Sequence, residues 1–224
     1  MAALGWLTRA LTDVPGHDRW LSEREREVLA TLRVPKRRAD WRLGRWAAKE
    51  ALVRWRGAAA AEVEVLAAPD GAPEAFVDGQ RLSVGLSFSH RSERALVAIG
   101  QESDGLGCDL EAIEPRSTAF VREWLHPAER RWLCELDREL QQLAANLCWS
   151  AKEAASKARR EGLRLNLRHA AVEPDGLTGT QSSWQPFQVT WDGGKIERGW
   201  WRTDPGWVMT VLSDPPGPPP RELR

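Results

Sequence analysis

The chain predicts an α+β fold, on two observations. Two long segments, residues 40–56 and about 138–160, read as helices, and short stretches with the period-two alternation of strands follow each of them. The second half then repeats the order of the first loosely, without a repeat visible in the residues themselves. In chain order, an N-terminal segment leads to the helix at 40–56, which Gly57 stops, and to an Ala-rich stretch. An alternating strand is expected at 63–66, turns at Asp70-Gly71-Ala72-Pro73 and Asp78-Gly79, and a strand pair at 82–88 and 95–99 joined by residues 89–94. The second half offers a strand at 105–113, helical segments at 121–133 and 138–160, and strands near 187–191 and 207–212. Residues 214–220, Asp-Pro-Pro-Gly-Pro-Pro-Pro, cannot continue a helix or a central strand, because each proline fixes φ and lacks a donor, so a mobile tail is expected.

Composition excludes several classes. With 224 residues, 42% of them hydrophobic, the chain can bury a sizeable core. No apolar run approaches the roughly 20 residues of a membrane span, and the first residues lack the pattern of a signal peptide, so a cytoplasmic protein is expected. Lys plus Arg number 32 and Asp plus Glu 32, which leaves no global field to draw the chain onto nucleic acid or an anionic membrane. Cys108, Cys134 and Cys148 lack the spacing of a zinc site or a disulfide framework and read as reduced thiols. The thirteen tryptophans are scattered rather than interleaved with a basic groove, and read as packing residues.

Two strings carry chemistry. In Gly107-Cys108-Asp109-Leu110-Glu111, alternation puts Leu106, Cys108 and Leu110 on a buried strand face and Asp109 and Glu111 on the other. In the string 149–157, Trp149, Glu153 and Lys157 recur at helical spacing and share one face. If that helix packs beside that strand, three carboxylates meet near an ammonium group, which suits a magnesium ion and a phosphate. Taken alone, Glu153 and Lys157 would be an ordinary surface pair worth a few tenths of a kcal/mol. Lys152 points about 100° away from Glu153 and has no assigned role.

These residues resemble an Sfp-type 4'-phosphopantetheinyl transferase, a family marked by a G-x-D-x-E string, a later W-S-x-K-E-x-x-x-K string, and a Ser-His pair that precedes both. The pair here is Ser89-His90, and the basic stretch 37–45 resembles the family's string ahead of a long helix. The resemblance implies two similar lobes in a pseudo-twofold arrangement, each a long helix packed on a small, mostly antiparallel sheet, with the active site between them. Residues 1–103 would form the lobe on the nucleotide side, 104–213 the lobe on the metal and pyrophosphate side, and 214–224 the tail. It further implies transfer of the 4'-phosphopantetheine arm of coenzyme A to a serine hydroxyl of an apo acyl or peptidyl carrier protein, with release of adenosine 3',5'-bisphosphate. Asp109, Glu111 and Glu153 match the positions that hold Mg²⁺, for which Mn²⁺ is an alternative. Glu153 also matches a general-base position, and Lys157 matches the lysine that binds the pyrophosphate. His90 matches the 3'-phosphate contact, Ser89 a phosphate donor, and Arg45 and Arg38 basic positions at the nucleotide end. Of His17, His90, His126 and His169, His90 alone falls in a matching string.

The chain departs from the family at Gly71-Ala72-Pro73, where many relatives carry Gly-Lys-Pro, and at Asn166, where an acidic residue is expected after the closing string Gly162-Leu163-Arg164-Leu165. Phe120, Val121, Trp124 and Leu125, with Arg122, Arg130 and Arg131, occupy the region relatives use to dock a carrier, although an amphipathic helix burying Val121, Trp124 and Leu125 accounts for the same pattern. A monomer is expected from an internal pseudo-dimer. The alternatives are a catalytically silent coenzyme A or nucleotide binder, and another magnesium-dependent phosphotransfer enzyme.

Overall fold

The computed structural model describes residues 4–57, 62–102, 105–161 and 165–224. The Ala-rich residues 58–61, the boundary expected at 103/104, and Gly162, Leu163 and Arg164 of the closing string lie outside them. The first half runs β1 (Gly5–Ala10), α1 (Glu23–Thr31), α2 (Pro35–Arg56), β2 (Val63–Ala67), β3 (Pro73–Val77), β4 (Gln80–Arg81), β5 (Gly85–Arg91) and β6 (Arg94–Gly100). The second runs β7 (Gly105–Ala112), α3 (Thr118–Trp124), α4 (Pro127–Leu133), α5 (Arg138–Ala158), β8 (Ala170–Pro174), β9 (Gln185–Trp191), β10 (Ile196–Asp204) and β11 (Trp207–Asp214), followed by β12 (Arg221–Glu222). The fold class is therefore α+β, and the pairs are antiparallel apart from β1 with β12.

Strand order β12-β1-β6-β5 makes one sheet and β7-β11-β10-β9-β8 another, with β2-β3-β4 as a smaller third. The period of two decides the layers. On β6, Val97 and Ile99 join Leu43, Ala47, Ala51 and Leu52 of α2 in one core, while Leu96 and Ala98 face the other way. There they meet Leu106, Cys108 and Leu110 of β7 and Met209 and Val211 of β11. Val208 and Leu212 of β11 in turn pack under Leu143, Leu147, Ala151 and Ala155 of α5. The result is helix, sheet, sheet, helix, with β5 and β7 adjoining at the seam, where the Cys108 amide donates to Ser87 Oγ at 3.0 Å.

Several expectations need correction. The helix at 40–56 begins a turn earlier, at Pro35, since proline is well suited to a first helical position. Residues 89–94 are not a loop: β5 continues through Ser89, His90 and Arg91, and the reversal is Ser92-Glu93, both at positive φ (43° and 65°), a tight hairpin. The helical segment 121–133 is two helices, because Leu125 is extended and Pro127 opens the second. β7 is covered on both faces, by the other sheet and by α5, so Asp109 is only 4% exposed and Glu111 8%. The Pro-rich terminus is not a free tail: the Leu4 carbonyl accepts from Arg221 N at 2.8 Å, the Gly217 carbonyl accepts from Trp200 Nε1 at 3.0 Å, and β12 lies parallel to β1 at the sheet edge, where proline's missing donor does no harm. Among the described residues no helix is long and apolar enough to cross a membrane.

Candidate active site

Gly107 sets the site. A Cβ there would stand 1.8 Å from the Ala154 carbonyl oxygen, so only glycine lets α5 lie this close on β7. That approach brings Lys157 Nζ to 2.8 Å from Asp109 Oδ1 and to 3.0 Å from the Cys108 carbonyl. From the first half, Ser89 Oγ on β5 donates to the same Asp109 oxygen at 2.7 Å. Glu111, two residues along β7, accepts from Trp149 Nε1 of α5 at 3.0 Å through Oε1 and from Arg116 at 2.9 Å through Oε2. Arg116 is held in turn by Asn146 Oδ1 at 2.6 Å. Glu153 lies on the same face of α5 as Trp149 and Lys157.

The acids feel one another. Burial first, then the Asp109 charge, raises the Glu111 carboxyl above its usual range against the pull of Arg116 and Arg91. Glu153 is raised by burial, then by Asp109, with Lys157 opposing and Glu111 adding. Burial works against charge on Lys157, but Asp109, Cys108 and Glu153 together offset it, and the ammonium is held above its ordinary value. Asp109 Oδ2 is buried with no hydrogen-bond partner. Among the described residues no three His, Cys, Asp or Glu side chains stand closely enough to hold a metal ion, because Asp109 is drawn to Lys157 and Ser89 while Glu111 is drawn to Arg116 and Trp149. An orphaned oxygen and mutually destabilised carboxyls are nonetheless the deficit that a hard, oxygen-seeking cation relieves, so the donor set fits one.

Two cavities flank β5. One, of about 540 Å³, reaches from the turn at Gly71, Ala72 and Pro73 past Ser87 and Phe88 to Lys157. The other, of about 330 Å³, is bounded by Lys36, Arg37, Trp41, Arg45, Phe88 and His90. Arg45 is 8% exposed, its guanidinium sits 4.8 Å from the Trp41 ring centre and 5.4 Å from that of Phe88, and its Nε has no hydrogen-bond partner. Burial lowers its pKa to about 10. A buried cation over two aromatic faces with an unused donor suits an anion, although the Asp40 carboxylate also lines the cavity. His90 is lowered by the desolvation its surroundings impose, with Asp40 opposing.

The structure thus gathers Asp109, Glu111, Glu153, Lys157 and Ser89 at one crossing and places Arg45 and His90 at a neighbouring cavity. Arg38 stands apart: its guanidinium donates to the Leu29 and Leu32 carbonyls at 2.6 and 3.2 Å and closes the end of α1, leaving Lys36 and Arg37 at the cavity instead. Val121 and Trp124 pack against the second core and Leu125 is buried within it, as the amphipathic account of that helix requires.

Sequence reasoning missed two buried ion pairs, Lys49 with Glu25 and Lys152 with Glu129. A signal was present. Trp20-Leu21 and Trp124-Leu125 each precede by four and five residues a Glu-Arg, Glu25-Arg26 and Glu129-Arg130, and Trp46-x-Ala48-Lys49-Glu50-Ala51 matches Trp149-x-Ala151-Lys152-Glu153-Ala154. The repeat is short and centres on the positions that build these pairs.

Comparison with known proteins bears on the second half. Residues 105–212 match the family model of the 4'-phosphopantetheinyl transferase superfamily. Among solved structures, a holo-(acyl-carrier-protein) synthase from Bacillus anthracis str. Ames, in complex with CoA (3',5'-ADP), is 26% identical at a TM-score of 0.39, over 45% of this chain and 96% of that one. The Thermotoga maritima holo-(acyl-carrier-protein) synthase is 22% identical at a TM-score of 0.35, over 56% and 76%. No curated protein matches the chain.

Proposed function

We propose, from the match of residues 105–212 to the 4'-phosphopantetheinyl transferase superfamily model and from the site's geometry, that the protein is a transferase of the Sfp type, which moves the 4'-phosphopantetheine arm of coenzyme A to a serine of an apo acyl or peptidyl carrier protein. Its main support is the junction of β7 and α5, where Lys157 and Ser89 share Asp109 Oδ1 and a second, buried Asp109 oxygen has no partner.

Asp109, Glu111 and Glu153 would hold Mg²⁺, or Mn²⁺ in its place, and such an ion supplies neutralisation of the cofactor's diphosphate as the bridging bond breaks. Lys157 then has a second duty. Held charged beside Asp109, it offsets the negative charge that grows on the phosphate oxygens. Glu153, at the position that matches the family's general base, takes the serine proton, directly or through water. Arg45, with His90 at the same cavity, receives the 3'-phosphate, for which a rigid guanidinium fork is suited. Trp149 and Arg116 hold Glu111 by both oxygens and fix its orientation.

The test is intact mass. The chain, coenzyme A, Mg²⁺ and an apo carrier protein are incubated together, and the carrier is weighed. Gain of one phosphopantetheine arm is expected; an unmodified carrier with coenzyme A consumed, or with coenzyme A bound and intact, contradicts the reading.

A further inference from the structure

Lys49 with Glu25 and Lys152 with Glu129 take no part in the chemistry above, yet they are the two most deeply buried ion pairs among the described residues, with side chains 0% and 0% exposed in the first pair and 0% and 1% in the second. Both pairs are built alike. The ammonium lies 2.6 Å from the carboxylate in each, and also donates to a tryptophan carbonyl, Trp20 at 2.7 Å and Trp124 at 3.0 Å. The same carboxylate oxygen accepts a backbone amide at the start of the short helix, from Ser22 at 2.8 Å and His126 at 2.6 Å. The other oxygen accepts from the strand that follows the long helix, from Val65 at 2.9 Å and Val172 at 2.8 Å. Each pair therefore ties a short helix, a long helix and a strand at one point.

The long helices need such a tie. Beside Leu43 and Leu52 the core face of α2 carries Ala47, Ala48 and Ala51, and beyond Leu143 and Leu147 that of α5 carries Ala151, Ala154, Ala155 and Ala158, so the turns nearest the site pack through alanine. Methyl side chains make low, uniform ridges, which define a helix's rotation on its sheet poorly. A buried ion pair is directional, and apolar residues of the same volume commonly replace one without loss of stability. What such a pair supplies here is orientation.

We propose that the two pairs are positioning devices with separate duties: Glu25 with Lys49 sets α2 so that Arg45, one turn away, faces its cavity, and Glu129 with Lys152 sets α5 so that Glu153 and Lys157 face Asp109. The division of duties rests on the transferase reading; the orientation of the helices does not. The first pair accordingly governs the hold on coenzyme A, and the second governs turnover.

The experiment replaces each pair by apolar residues of like size, in Glu25→Leu/Lys49→Met and in Glu129→Leu/Lys152→Met, with circular dichroism and thermal melting to confirm folding. The first variant weakens coenzyme A affinity by calorimetry roughly tenfold, a change of about 1.4 kcal/mol, with kcat at saturating cofactor unchanged. The second loses about 10²-fold in kcat, the scale of an ångström's misplacement, with coenzyme A affinity unchanged. Should a double variant not fold, Lys49→Arg and Lys152→Arg, which keep the charge but not the fit, carry the same test at smaller size. Folded variants that keep both constants, or disturb both together, overturn the proposal. If the wild-type chain transfers nothing, the transferase reading fails alone; calorimetry with coenzyme A on the first variant, and Mn²⁺ affinity by electron paramagnetic resonance on the second, still report helix orientation.

Discussion

Helices α2 and α5 are each held by a buried lysine–glutamate pair, yet two substitutions on that common frame, and different surroundings for one shared glutamate, leave a buried guanidinium unpartnered at Nε in one half and crowded carboxyls in the other. Where α5 carries Cys148, α2 carries Arg45, a buried guanidinium that the Glu25–Lys49 pair does not neutralise. Where α5 carries Glu153 near Asp109, α2 carries Glu50, which is satisfied by Arg9 of β1 at 2.8 Å and by Arg54 at 2.9 Å. Arg54 stands at the helical position of Lys157. In the first half the strand offers a base to the helix acid and the pair is spent; in the second it offers more acid and the group is left in deficit. The comparison separates what a scaffold supplies, which is geometry, from what a site supplies, which is uncompensated charge.

The comparison breaks most sharply at the acids. Asp109→Ala lowers transfer about 10³-fold with the fold retained by circular dichroism, whereas Glu50→Ala leaves turnover unchanged and costs under about 1 kcal/mol; wild-type transfer in the first variant removes the metal assignment. Gly107→Ala comes next. Its Cβ meets the Ala154 backbone, so denaturant melting should show a loss of about 3 kcal/mol. Gly5→Ala on β1 meets the Leu223 side chain, which can move, and costs about 1 kcal/mol or less. On the anion side, Arg45→Ala raises the KM for coenzyme A about tenfold, and His90→Ala raises it less. If coenzyme A and its dephospho form bind wild-type protein equally, neither residue is a 3'-phosphate ligand.

The smallest effect is in stability and has a fixed sign. The folded chain holds the Glu153 carboxyl above its ordinary value of 4.5, so it binds a proton that the unfolded chain releases, and stability falls as pH rises through that window. Glu153→Gln therefore melts a few degrees higher than wild type in metal-free buffer at pH 7, with the gain vanishing below pH 4.5, although it transfers nothing. A lower melting point at pH 7 would mean that the charge is compensated in the folded chain.

Much of the site was legible in the sequence because the chemistry sits on regular elements. Alternation put Asp109 and Glu111 on one strand face, and helical spacing put Trp149, Glu153 and Lys157 on one helix face. What periodicity could not show was the packing between elements. That α5 covers the acidic face of β7 depends on the approach at Gly107, and that Ser89 reaches Asp109 depends on a hairpin reversing at Ser92-Glu93 rather than three residues earlier. Arg38 and Arg45 look alike as basic residues of one helix start, and only the position of α1 decides that Arg38 meets backbone carbonyls while Arg45 meets a cavity. Edge strands such as β12 are set by a partner across the chain, so local proline content misled. The internal repeat was hidden because burial constrains a few positions in each half while loops and surfaces diverged.

The proposed transfer requires a hard cation at Asp109, Glu111 and Glu153 in the second half. Crystals grown with coenzyme A and Mn²⁺, with diffraction recorded for the anomalous signal of manganese, test this directly. A single strong peak between β7 and α5, touching those carboxylates and the cofactor's diphosphate, is predicted; a peak elsewhere, or cofactor bound with its diphosphate away from Lys157, contradicts it.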